Sequence, residues 1–351
     1  MDKWGAVNTK LTKEGDVPRS TVVVCILAGV LIAGGLFVAG MYAAEPVIDE
    51  YLNETKGIIH LYDFYDLNIG EDQTAVYFIG SSIIGASIYP PYINQNLSNN
   101  DYNITTYNLY ISSDTPRRRS IELQNIIASA PSLIIYGVTY RSVTDRAEWP
   151  DEQIVLVHSR LKILNDSLQL YSQKERNDLK IKPTIYYKKK FIPNAVSYTP
   201  VVHDPTFDYL NDPNGLISRR YYDTTKKPEQ ILKEANNPKD PWRPIVTNES
   251  TRYKQALIYN VQTLQNAGIP VVLINMPLHP LTSEKITDES RQNFYDLLNE
   301  TGAKWYDMEF GCGDECFIDS HHMTFYGATQ FAPRMAELII SEVKSGAVHY
   351  A

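Results

Sequence analysis

Cysteine is nearly missing from this 351-residue sequence, with three in all, at Cys25, Cys312 and Cys316. That supply excludes a disulfide-stapled scaffold, and with no second pair beside Cys312 and Cys316 it excludes a four-cysteine zinc module. Positive charge is also short. Lys and Arg number 33 against 41 Asp and Glu, a formal net charge of −8, which argues against a nucleic-acid partner. The basic clusters Arg117-Arg118-Arg119 and Lys188-Lys189-Lys190 are single triplets in an acidic chain, expected on solvated faces. Charge of either sign is absent from Thr21 to Ala44.

That uncharged run is apolar, and at 1.5 Å per residue it extends about 36 Å, enough to cross the hydrocarbon core of a bilayer. A cleaved signal peptide is the alternative, but the run exceeds an ordinary hydrophobic region and Tyr42 spoils a small-x-small cleavage site before Glu45. Lys3, Lys10, Lys13 and Arg19 precede the run, and Glu45, Asp49 and Glu50 follow it. The positive-inside rule therefore expects residues 1–20 as a cytoplasmic tail, 21–44 as a single membrane-spanning helix, 45–71 as an acidic stalk and 72–351 as an extracytoplasmic domain. Small residues four apart, Gly29 with Ala33 and Gly35 with Ala39, would allow helix pairing. Six Asn-x-Ser/Thr sequons, at Asn53, Asn96, Asn103, Asn165, Asn248 and Asn299, agree with an outside location and a glycosylated surface. In an oxidising compartment Cys312 and Cys316 are expected to pair and stiffen the loop that follows them; a metal site from Cys312, Cys316, His321 and His322 is the alternative.

Ala75 to Ile79 is a short apolar, β-prone run without polar alternation, the mark of a strand buried on both faces of a parallel sheet. Further strands are expected at Thr106 to Ile111, Ser132 to Tyr136, Val271 to Asn275 and Lys304 to Asp307. Helices are expected at Arg119 to Ser129, Thr251 to Asn266, Ser283 to Asn299 and Thr324 to Val343, the last kinked at Pro333. Asn94 to Asn103 reads as a polar surface excursion. This alternation predicts an α/β domain, a parallel sheet with right-handed crossovers and helices on both faces. Residues 142 to 250 interrupt it as a large insert rich in charge, proline and tyrosine. Tyr186, Tyr187, Tyr198, Tyr209, Tyr221 and Tyr222 fall there, suited to stacking on sugar rings or to packing.

The first strand closes on Gly80-Ser81-Ser82, a glycine that permits a sharp turn followed by hydroxyls at the carboxyl edge of the sheet, where open α/β sheets place ligands. Ser82 is the candidate nucleophile. A serine hydroxyl needs a histidine to take its proton and a carboxylate to hold that histidine. Asp319-Ser320-His321-His322, on the loop before the last helix, supplies both on one short support, with His321 a rival to His322. His279, at the carboxyl end of the fourth strand, is a candidate substrate contact.

These two blocks, in this order at opposite ends of the domain, resemble the SGNH (GDSL-like) hydrolases, and more closely their membrane-anchored branch of DltD-like and alginate acetyltransferase-like proteins. The resemblance implies a three-layer, flavodoxin-like α/β fold, with Ser82 as nucleophile, His322 as general base and Asp319 as its orienter. The second family block, Ser-Gly-Asp-Thr, corresponds to Ser112-Ser113-Asp114-Thr115, with Ser113 at the glycine's place. The third, Gly-x-Asn-Asp, falls at Gly137-Val138-Thr139-Tyr140, with Thr139 where the family has its Asn. The implied oxyanion donors are then the backbone N–H groups of Ser82 and Ser113 together with Thr139. Arg141 and His321 stand near enough to contact substrate. The implied activity is that of a membrane-tethered serine esterase or O-acyltransferase on acyl groups of cell-surface glycans or lipids, with no cofactor, and a membrane-bound acyl donor protein as a possible partner. The departures at Ser113 and Thr139 leave open a catalytically impaired surface module that binds glycan or a membrane partner.

Overall fold

The computed structural model describes residues 19–56, 74–110, 114–144, 166–174, 176, 227–235, 245–348 and 350. The chain divides into two compact units, Met1–Ile58 and Ile59–Ala351.

In the first unit, helix α1 spans Arg19–Lys56, 38 residues, or about 57 Å. Its Ser20–Phe37 window has a mean hydropathy of 2.4 and no buried residue. Leu31 and Leu36 are 76% and 69% exposed, so these side chains serve no protein core. By length and composition α1 can cross a membrane. The helix does not stop at Ala44. It continues through Pro46 into the segment expected as a stalk, whose acidic side chains do not oppose helix formation.

The second unit is built on a five-stranded, wholly parallel sheet: β1 (Thr74–Gly80), β2 (Ile104–Tyr110), β3 (Leu133–Val138), β4 (Val271–Asn275) and β5 (Lys304–Asp307), in the order β2-β1-β3-β4-β5. Ala75 through Ile79 have no exposed surface, as their unbroken apolar run requires of a strand covered on both sides. β5, an edge strand paired only to β4, is four residues long and half exposed.

Between β1 and β2 lie α2 (Ser82–Ser87) and α3 (Pro90–Ser98); between β2 and β3, α4 (Pro116–Arg119) and α5 (Leu123–Ser129). The expected polar excursion is thus partly helix. Pro90 and Pro91 start α3, and Ile93 and Leu97, one turn apart, bury the side that packs on the sheet. Asn94 Oδ1 accepts from Thr106 N and Oγ1 on the outer strand, at 3.0 and 2.8 Å, and covers that edge. The helix expected over Arg119 to Ser129 is broken around Ser120–Glu122 into α4 and α5. Arg117 and Arg119, expected on a solvated face, are 1% and 0% exposed; Arg117 lies over the ring of Tyr171, 4.3 Å from its centroid, and Arg119 meets buried carboxylates.

Within residues 142 to 250, α6 (Pro228–Ala235) is described, together with a 3-10 turn at Asp166–Leu170. The six tyrosines of the insert and the Lys188-Lys189-Lys190 cluster lie outside the described residues. After it come α7 (Arg252–Asn266), α8 (Pro280–Ser283), α9 (Asp288–Glu300) and α10 (Phe325–Lys344), the last continuing through Pro333. α10 packs on α2 and α3, while α7 packs on α4 and α5, so the sheet lies between two helical layers. In this doubly wound order the chain leaves β1 for β2 and then returns to the other side for β3, opening a crevice at the carboxyl ends of β1 and β3.

Candidate active site

β1 ends at Gly80, whose φ of +146° is open to glycine alone. A Cβ there would stand 2.6 Å from the Gly137 carbonyl oxygen and 2.8 Å from Ile84 Cγ1. The chain can therefore turn out of β1, hard against β3, only without a side chain. Ser81 caps α2 with its hydroxyl, which accepts from Ile83 N at 3.4 Å. Ser82 is then the first residue of α2 and stands half-buried at the crevice.

The opposing half comes from the loop between β5 and α10. Its two sides are tied by an isolated antiparallel bridge between Phe317 and Met323, by Ile318 N donating to His322 O at 2.9 Å and by Thr324 N donating to Cys316 O at 2.8 Å. Thr324 also caps α10 through Gly327 N at 3.0 Å. Cys312 and Cys316 form a disulfide at the start of this loop, with Cα atoms 6.0 Å apart. Asp319 through His322 form its tip.

The two halves meet. His322 Nε2 lies 2.9 Å from Ser82 Oγ, across 240 residues of sequence. His322 Nδ1 lies 2.8 Å from Asp319 Oδ2, and the other carboxylate oxygen accepts from His321 N at 2.9 Å and His322 N at 2.8 Å. A carboxylate at Nδ1 places the ring proton there and leaves the Nε2 lone pair for the serine hydroxyl, the tautomer a general base requires. Burial by itself would raise the Asp319 carboxyl. The hydrogen bond from His322, the charges of His321 and His322 and the His322 backbone donor outweigh it and hold the group well below the usual carboxylate range. The arrangement can withdraw a proton from the Ser82 hydroxyl and return it.

His321 takes a different place. Its ring leans on that of His322 with centroids 3.8 Å apart, and its Nδ1 sits 2.8 Å from Ser320 Oγ and 3.4 Å from Asp319 Oδ1. His279 is 3% exposed. It caps α8 through Nδ1, which accepts from Leu281 N at 3.1 Å; its backbone N donates to Ser320 O at 3.3 Å, and its ring lies 5.6 Å from that of Phe317. Burial lowers its pKa against the pull of Asp314 and Asp319. It braces the tip from below.

Thr139 follows β3 as Ser82 follows β1, each two residues past the register pair Gly80 and Gly137. Its hydroxyl is 3.4 Å from Ser142 Oγ, and its backbone N donates to that same oxygen at 3.2 Å. Ser142, which the sequence did not point to, thus shares the hydroxyl expected to serve an oxyanion. Arg141 is half-buried on the 3-10 turn Tyr140–Val143. Ser113 lies outside the described residues. Beside this edge, Glu309, fully buried, accepts from Tyr140 Oη at 2.5 Å and from Arg291 Nη2 at 2.9 Å, a network the sequence did not announce.

Among the described residues, two groups bring three metal-binding side chains within 4.8 Å of one another: Cys312, Glu315 and Cys316, and Asp319, His321 and His322. The mixed site expected as an alternative does not assemble, since its cysteines and histidines fall in different groups. The first group has its sulfurs joined to each other; in the second, Asp319 and His322 are engaged with each other and His322 with Ser82.

A family model for an uncharacterised family matches residues 219–344, about a third of the chain. The match takes in β4, β5, His279 and the Asp319–His322 tip and leaves out β1 and Ser82. No curated protein matches the sequence.

Proposed function

We propose that this protein is a membrane-tethered serine esterase or O-acyltransferase that acts outside the cytoplasm on acyl groups of cell-surface glycans or lipids. The observation that carries the reading is the continuous relay from Ser82 Oγ through the His322 imidazole to the Asp319 carboxylate. Ser82 Oγ adds to the acyl carbonyl as its proton passes to His322 Nε2. The tetrahedral intermediate expels the alcohol, which takes that proton back, and the acyl group stays on Ser82. Water or a second hydroxyl, deprotonated by the same imidazole, then removes it. In this reading the Ser82 N–H, a first-turn donor of α2 with no partner within the helix, serves the developing oxyanion. The resemblance to the membrane-anchored SGNH branch and the apolar length of α1 support the class and the tether.

The test uses the full chain in detergent, with a chromogenic acetyl ester and a fluorophosphonate probe, beside Ser82→Ala. Hydrolysis and labelling are expected for the wild type and for neither in the variant; equal ester turnover by both would overturn the proposal. A second reading, an inactive glycan-binding or partner-binding module, is favoured by the Thr139 hydroxyl being held by Ser142. It expects no probe on Ser82, and stoichiometric labelling there would exclude it.

A further inference from the structure

Arg119 has no exposed surface. Its Nε donates to Asp114 Oδ2 at 2.8 Å, its Nη2 lies 2.6 Å from the same oxygen, and its Nη1 donates to Glu122 Oε2 at 3.0 Å. Nη2 also faces two backbone carbonyls, those of Gly80 and Leu109, each at 3.3 Å. Gly80 pairs in register with Tyr110, and Leu109 with Ile79, so both carbonyls lie on the last rungs of the β1–β2 ladder. Beyond them β1 turns into Ser81 and Ser82. The guanidinium supplies donors at the place where the ladder ends.

A buried Arg with carboxylate partners adds little stability over well-packed apolar side chains of similar volume. What hydrocarbon cannot do is hold a carbonyl oxygen in one place. The planar fork of Arg can, because carboxylates fix all three of its nitrogens and Nη2, held against Asp114, also faces the strand ends. We propose that Arg119 is a positioning residue for Ser82: braced by Asp114 and Glu122, it fixes the Gly80 carbonyl and with it the turn that aims Ser82 Oγ at His322 Nε2. This rests on the reading of Ser82 as the nucleophile. A displacement of about 1 Å at such a group costs on the order of a hundredfold in rate, so a partial loosening of the turn is expected to cost about tenfold or more.

The experiment compares the full chain in detergent with Arg119→Lys and with the triple variant Arg119→Met, Asp114→Asn, Glu122→Gln, which removes the cation without stranding either carboxylate. Each is checked for folding by circular dichroism. The expected result for the folded triple variant is fluorophosphonate labelling of Ser82 slowed about tenfold or more, kcat for an acetyl ester reduced in proportion and KM within about twofold of wild type. Arg119→Lys, which keeps charge but loses the fork, is expected to fall between, and it decides the matter if the triple variant does not fold. Labelling at the wild-type rate in the folded triple variant, or in Arg119→Lys when that variant decides, would overturn the proposal. If the wild type itself is not labelled, the nucleophile reading fails, and positioning is read instead from the 15N resonance of His322 Nε2. A displaced resonance in the variant supports the Arg119 role, and an unchanged one refutes it.

Discussion

Asp319 makes three contacts at the tip, and its ionised form strengthens each: two backbone donors converge on one oxygen and the His322 ring on the other. Asp319→Asn keeps the shape but can turn an NH2 toward Nδ1 and invert the tautomer, so kcat is expected to fall by about 10³- to 10⁴-fold with little change in KM. Stability should respond too. A carboxyl held below its unfolded-chain value of about 3.9 contributes stability that is complete above that pH and is lost as pH falls toward its lower folded value. The urea midpoint of Asp319→Asn should therefore lie below wild type at pH 7, with the gap narrowing below about pH 4. An equal gap at pH 7 and pH 3 would show that the carboxylate's charge is not what stabilises the tip. The approach of Ser82, His322 and Asp319 was expected from the joint order of two blocks, each common by itself, one at a strand's end and one before the last helix, and from the resemblance they carry. Arg119 and Ser142 were not. A basic triplet in an acidic chain looks solvated until the fold reveals carboxylates and strand-end carbonyls around it, and a hydroxyl's partner depends on a turn that sequence does not specify.

The β1–α2 turn and the loop before α10 are the elements that decide whether the relay forms. Gly80→Ala forces a Cβ onto the Gly137 carbonyl at a φ that side chains rarely adopt. Strain and overpacking together are expected to cost about 2–5 kcal/mol, read as a lowered denaturant midpoint, with probe labelling lost in whatever remains folded. In the loop, Cys312 and Cys316 close a ring with a sequence separation of 4, for which chain-entropy arguments give roughly 2 kcal/mol. The double variant Cys312→Ser, Cys316→Ser should melt a few degrees lower under oxidising conditions and match the wild type treated with a dithiol reductant. Identical melting with and without reductant would mean that the bond constrains nothing. At this scale the strands were the most readable part, since buried parallel strands are apolar without interruption. The boundaries failed where polarity misled: α3 is Asn-rich but rests on Ile93 and Leu97, and α1 runs on past its apolar stretch because charge alone does not end a helix.

For the whole molecule, the separation into an apolar N-terminal helix and an α/β domain makes fractionation the direct measurement. Full-length protein should stay with membranes through alkaline carbonate washing, and deletion of residues 1–56 should release it. Protease added to intact cells should reach the α/β domain if the acidic side of α1 faces outward, and full protection would place it inside. Alternation and right-handed crossovers implied a parallel sheet with helices on both faces, but they do not choose among strand orders, and 2-1-3-4-5 is read from the structure.

Chains are synthesised from the amino end, so Ser82 leaves the ribosome 240 residues before the imidazole that reaches it. Until the closing segment has folded back onto the sheet, that hydroxyl lacks its imidazole partner, and a truncated or stalled product would carry the apolar N-terminal helix and the serine without it. Loss of even the last tenth of the polypeptide would take Asp319 and His322 with it while removing none of the five strand segments.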